Sequence, residues 1–124
     1  MHIEIENRHD VYILRLRGRF VMATDAEYLS AWADEFKIHG YHKLLIDLSE
    51  VSSICSTVIG FLVDLYTSTT RKADGRFTLA GANSRVREVL DLTRLSTVIP
   101  LAADTRSGVA ALLGENTVAL IANG

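Results

Sequence analysis

The sequence predicts an α/β fold: a mixed β-sheet of four to five strands built around a central parallel βαβ unit and flanked by about four helices. Three observations carry this. Leu44-Leu45-Ile46-Asp47-Leu48 is a nearly continuous apolar run, the mark of a strand covered on both faces. Ser56 to about Ala73, with Val58, Ile59, Phe61, Leu62, Leu65 and Tyr66, is long and apolar enough for a helix behind it. Arg76-Phe77-Thr78-Leu79-Ala80 then reads as a second strand after Asp74-Gly75, and strand, helix, strand at these lengths is a parallel crossover.

The remaining elements follow in order. Ile3 and Ile5 alternate with His2, Glu4 and Glu6, and Tyr12, Leu14 and Leu16 alternate with Arg15 and Arg17, which is the period of half-buried strands. Asn7-Arg8-His9-Asp10 between them predicts a hairpin turn. After Gly18 and the short stretch Arg19 to Met22, Thr24 with Glu27 three residues on reads as a capping box. It opens a helix whose inner face is Ala26, Leu29, Ala33 and Phe36, with Trp32 beside them and Gly40 at its end. Ser49 to Cys55 reads as a loop, with Ser56 as the cap of the helix behind it. Asn83 is placed to cap a third helix through Val86, Val89 and Leu90. Thr97-Val98-Ile99 predicts an edge strand ended by Pro100, and Asp104 a cap for a last helix through Leu113.

Composition bounds the rest. The chain has 124 residues, 48% of them apolar and 23% charged, which suits one domain over 1–124 with its own core. Residues 115–124 form an apolar tail, Val118 to Ile121, without a period. A net charge of −2 gives no footprint of nucleic-acid binding. The charge is uneven: residues 21–50 hold two lysines against six acids, and residues 71–94 six bases against three acids. A lone Cys55 and an acidic first turn of sequence, with no export signal, indicate a reducing cytoplasm. The uncharged run Val51–Val63 is interrupted by Ser52, Ser53, Ser56 and Thr57 and falls short of the roughly 18 apolar residues of a membrane span.

Few residues suggest chemistry. His39 and His42 lack a third ligand nearby, the glycines stand singly rather than in a phosphate loop, and Asp34-Glu35 lie on a predicted exposed face. No metal, cofactor or catalytic residue is expected, and the chain is not read as an enzyme. The informative place is Ser52 to Thr57, where the chain leaves the central strand and enters a helix, because open α/β sheets place their sites at the carboxyl ends of parallel strands. A phosphate on Ser56 would meet the positive end of the helix dipole and its free N–H groups, adding about −1.5 to −2 charges to the surface. Cys55 beside it is either a small packed hydrophobe or a thiol activated by the same dipole. Thr57, Gly60, Asp64, Ser68 and Arg71 form a small polar stripe at helical spacing, opposite the apolar face.

These residues resemble the STAS family, typified by bacterial anti-sigma factor antagonists. The resemblance rests on Gly18-Arg19-Phe20 followed by Thr24, and on Leu45-Ile46-Asp47-Leu48 with Val51 to Gly60, set against a signature loop that usually reads Asp-Ser-Ser/Thr-Gly-Leu-Gly. Val86, Leu90, Thr93 and Leu95 match the next helix and its exit, so the similarity spans about residues 3 to 113. It implies a regulatory protein of a partner-switching module that binds an anti-sigma factor, itself a serine kinase of the histidine-kinase-like ATPase type, and is controlled by phosphorylation at Ser56, with Thr57 as the alternate acceptor. It also implies a partner surface around Cys55, Ser56, Thr57, Gly60, Asp64, Val21 and Met22. The departures are Cys55 in place of the loop Asp, Val58 in place of the first Gly, and Val21 where many members carry a second acid. Two other readings stand beside it: a STAS scaffold that binds its partner without phosphorylation, and a thiol enzyme or redox sensor built on Cys55.

Overall fold

The computed structural model describes residues 2–20 and 24–114. Strand β1 (His2–Arg8) and strand β2 (Val11–Phe20) form an antiparallel hairpin. Its turn is only His9-Asp10, both at positive φ (52° and 74°), the geometry that lets two residues reverse strands of natural twist. Asn7 and Arg8, expected in the turn, are paired in the ladder with Tyr12 and Val11.

Helix α1 (Thr24–His39) crosses to strand β3 (Lys43–Ile54), and helix α2 (Ser56–Thr70) crosses to strand β4 (Arg76–Ala80). Helix α3 (Ser84–Leu92), a 3-10 turn over Leu95–Thr97, the short strand β5 (Leu101–Ala102) and helix α4 (Thr105–Leu113) complete the chain. The strands lie side by side in the order β1-β2-β3-β4-β5, parallel from β2 onward. The sheet is therefore mixed, five-stranded and centred on the expected βαβ unit. Thr24 is itself the first helical residue of α1; the position in front of it, Val21, Met22 and the tail 115–124 lie outside the described residues, as do the side chains of Thr24 and Ala26.

Two cores flank the sheet. The larger joins Leu14, Leu16, Leu44, Ile46 and Leu48 to Leu29 and Phe36 of α1, Val58, Leu62 and Leu65 of α2, and Val86 and Leu90 of α3. The smaller joins Val11, Ile13, Leu45 and Ala80 to Val109 and Leu112 of α4. Alternation made β2 look half-buried, yet Val11 and Ile13 are as buried as Leu14 and Leu16, because α4 returns over that end of the strand. Further along, where α4 no longer covers it, the same face carries charge. Arg15 Nε donates to Asp47 Oδ2 at 2.8 Å, and Arg17 Nε lies 3.0 Å from Glu50 Oε2.

Three expected boundaries move. Ser49 to Cys55 is not a loop, because β3 continues to Ile54, pairing Glu50 with Arg17, Val51 with Gly18 and Ile54 with Phe20. Two register shifts break the alternation of its buried residues, so Val51 and Ile54 look out of phase in sequence. The edge strand is not Thr97-Val98-Ile99 but Leu101–Ala102, beyond Pro100. The chain winds tightly after Arg94, which takes φ 64°, and pairs only once the Pro100 carbonyl accepts from Leu79 N at 2.9 Å. Helix α2 stops at Thr70 rather than near Ala73. The other two expected caps are present: Asn83 Oδ1 accepts from Val86 N at 2.8 Å, and Asp104 forms a capping box with Ser107.

Candidate functional site

The carboxyl end of β3 delivers the chain into α2. Cys55, extended at φ −118° and ψ 178°, is the N-cap, and its carbonyl accepts the first helical bond from Ile59 N at 3.1 Å. Its side chain makes no cap hydrogen bond. Ser56 is thus the first helical residue, not the cap that the sequence suggests. Two steps decide this: β3 holds its extended conformation through Ile54, and the change to helical φ and ψ follows immediately. The Ser56 side chain is exposed, Cys55 and Thr57 are half-buried, and Val58 is buried in the larger core.

Helix α1 runs beside α2. Thr57, Gly60, Phe61 and Asp64 line a small cleft of about 160 Å³ with Leu29, Ser30 and Ala33, and Asp64 Oδ2 pairs with Lys37 Nζ at 3.0 Å. The upper half of the polar stripe therefore faces α1 rather than open solvent. Two of its members are exposed, Gly60 at the cleft and Arg71, the C-cap of α2. A Cβ built on Gly60 would meet nothing within 4 Å.

Asn83 is the residue at this end of the sheet that sequence reasoning assigned too small a role. Beyond capping α3, its Nδ2 donates to Val51 O at 3.1 Å and to Ser52 O at 3.4 Å. It ties the strand end that carries Ser56 to the start of α3. A cap signal was visible in the sequence; the second bond crosses 31 residues of chain and leaves no local trace.

The other candidates do not join this site. His39 Nε2 lies 3.2 Å from Glu35 Oε2 and His42 Nδ1 lies 3.1 Å from the Ala73 carbonyl, each occupied by a different element. Among the described residues no group of three His, Cys, Asp or Glu side chains is arranged to hold a metal ion. Within them, too, no helix is long and apolar enough to cross a membrane.

A family model described as the STAS domain matches residues 2–108. The chain belongs to the STAS domain family. Among curated proteins, a Thermotoga neapolitana protein named as a homologue of an anti-sigma factor antagonist is 34% identical over 93 residues, 74% of this chain and 80% of that protein. Among solved structures, a Thermotoga maritima protein described as an anti-sigma factor antagonist matches with a TM-score of 0.78 and 28% identity, covering 89% of this chain and 93% of that one. The Bacillus cell fate determinant SpoIIAA, solved in its phosphorylated form, matches in fold with a TM-score of 0.68 and 15% identity over 90% of this chain and 99% of its own. This STAS protein is therefore anti-sigma factor antagonist-like, and its five-stranded mixed sheet with four described helices is the fold of its relatives.

Proposed function

We propose that this STAS protein is an anti-sigma factor antagonist controlled by phosphorylation of Ser56. Its partner on this reading is an anti-sigma factor that is also a serine kinase of the histidine-kinase-like ATPase type. It acts as a binding protein rather than an enzyme, as a single cytoplasmic domain over 1–124. The observation that carries the reading is the position of Ser56: exposed, first in α2, at the carboxyl end of the central strand. The capping residue puts no side-chain acceptor on the first turn of that helix. A phosphoryl group on Ser56 meets the positive end of the helix and its N–H donors, so the fold tolerates it while the surface gains about −1.5 to −2 charges. Kinship with proteins named as anti-sigma factor antagonists supports the partner class. SpoIIAA, a protein of the same fold, has been solved with its phosphate in place.

Thr57 is the alternate acceptor, less accessible because it is half-buried beside α1. Cys55, Ser56, Thr57, Gly60 and Asp64 form the partner surface on this reading, with Val21 and Met22 completing it from the segment between β2 and α1. Cys55 in place of the loop acid favours one second reading, a scaffold that binds its partner without phosphorylation.

The test is affinity capture of the protein from its native cells, with mass spectrometry of the captured proteins and of the peptide carrying Ser56. The expected result is an ATPase with serine kinase activity, phosphate on Ser56, and loss of capture by Ser56→Asp but not by Ser56→Ala. A stable partner with Ser56 unmodified in every growth condition, and capture unaffected by Ser56→Asp, would establish the scaffold instead.

A further inference from the structure

Strand β3 outruns its neighbour. It extends to Ile54, whereas its pairing with β4 ends at Asp47 opposite Ala80. The chain leaves the sheet at Gly81, which takes φ +74° and lies so close to β3 that a Cβ there would stand 2.9 Å from Ser49 Cβ. The β4 side of the last turns of β3 therefore has no strand partner in the described ladder. Asn83 fills that place. One amide group accepts from Val86 N through Oδ1 and donates through Nδ2 to the Val51 and Ser52 carbonyls.

The capping role alone does not select asparagine, since Asn, Asp and Ser cap helices about equally well. Of the three, Asp has no donor and Ser must accept and donate from one oxygen, whereas Asn does so from two separate atoms, Oδ1 and Nδ2, so the second bond set explains its choice. We infer that Asn83 is a positioning residue for Ser56: it clamps the strand end from which Ser56 and the first turn of α2 depart, and it fixes that turn against α3. The inference rests on the reading of Ser56 as the regulated residue. It adds the device that holds the residue in register for a kinase. Held at both sides, by β2 and by Asn83, the segment Val51–Cys55 presents one geometry to a partner. Released on one side, it samples several, and both phosphoryl transfer and docking slow.

Two variants separate clamp from cap. Asn83→Asp keeps an acceptor for Val86 N and has no donor for Val51 and Ser52; Asn83→Ser keeps the acceptor on a shorter side chain whose single O–H lies back from those carbonyls; Asn83→Ala loses both. The first measurement needs no partner. Cys55, the chain's only cysteine and the residue immediately before Ser56, is alkylated with iodoacetamide in the folded protein, and exchange of the Val86 amide is followed as the report on the cap. Asn83→Asp and Asn83→Ser are expected to label about threefold faster than the parent protein or more, with Val86 protection retained. Parent-like labelling in both would overturn the clamp.

The second measurement is the initial rate of Ser56 phosphorylation from ATP by the captured kinase. Both cap-preserving variants are expected to be as slow as Asn83→Ala, about fivefold or more below the parent protein. If they match the parent protein while Asn83→Ala is slow, Asn83 only caps α3 and the inference fails. If no form, the parent included, accepts phosphate while Cys55 labelling still responds to the variants, the regulatory reading of Ser56 fails and the clamp stands.

Discussion

Helices α2 and α4 lie in different cores of the sheet, and each carries a glycine where alanine would favour the helix by roughly 0.5–1 kcal/mol. In α4 the reason is packing. A Cβ on Gly108 would come within 2.5 Å of Leu45 Cδ1, so any side chain there must push the buried Leu45 side chain aside, while Ala102 Cβ at 3.4 Å is in ordinary contact. In α2 no such reason exists, since a Cβ on Gly60 meets nothing. The glycine of α4 therefore answers to a close neighbour, while that of α2 borders the cleft against α1 with no neighbour to avoid.

The contrast can be broken in four places. The largest effect is expected beside α4, where Asp47 is buried. Burial works to raise its carboxyl, but the bonds from Arg15 and Ser49 outweigh this and hold it below its ordinary value of 3.8. Replacing Arg15 by Met leaves that carboxylate buried without its cation, at a cost of about 3 kcal/mol in urea unfolding at neutral pH. The pH profile sharpens the test. A lowered carboxyl contributes stability in full above its ordinary value and loses it as pH falls below that value and through the lowered one, so the parent protein weakens below about pH 4. In Arg15→Met only the Ser49 bonds still oppose burial, so the loss of stability below about pH 4 is expected to be smaller than in the parent protein.

Next in size, Gly108→Val is expected to destabilise by about 2 kcal/mol through overpacking against Leu45, read as a lowered thermal midpoint. Gly60→Ala is expected to do the opposite, raising stability by about 0.5 kcal/mol while weakening capture of the partner, as seen by calorimetry against the captured anti-sigma factor. Loss of stability in that variant would show that α2 packs more tightly than its open cleft indicates. Smallest in stability is Ser56→Asp, whose added charge sits at the favourable end of α2. Its unfolding midpoint should stay within about 0.5 kcal/mol of the parent protein while partner capture is lost.

Much of the fold was legible because it is written locally. The apolar run Leu44–Leu48, the caps at Asn83 and Asp104 and the hydrophobic spacing of α2 each announce themselves within a few residues, and all stand in the structure. The errors share a cause. Ser49–Ile54 looks like a loop because its pairing with β2 slips twice, and a shifted register scatters the buried positions that alternation would reveal. The strand Leu101–Ala102 is too short to carry a period of its own and exists only because β4 offers it an edge.

The candidate site divides in the same way. That Ser56 stands where a strand gives way to a helix follows from the order of apolar and polar residues, since those decide where each backbone conformation is stable. Whether Ser56 caps the helix or begins it depended on how far β3 could stay extended, and that was decided by pairing with β2. The second bond of Asn83, the cleft at Gly60 and the pairing of Asp47 with Arg15 likewise join residues far apart in the chain. Contacts of that kind exist only once the sheet has fixed the distance between them, so the tertiary structure alone could decide them.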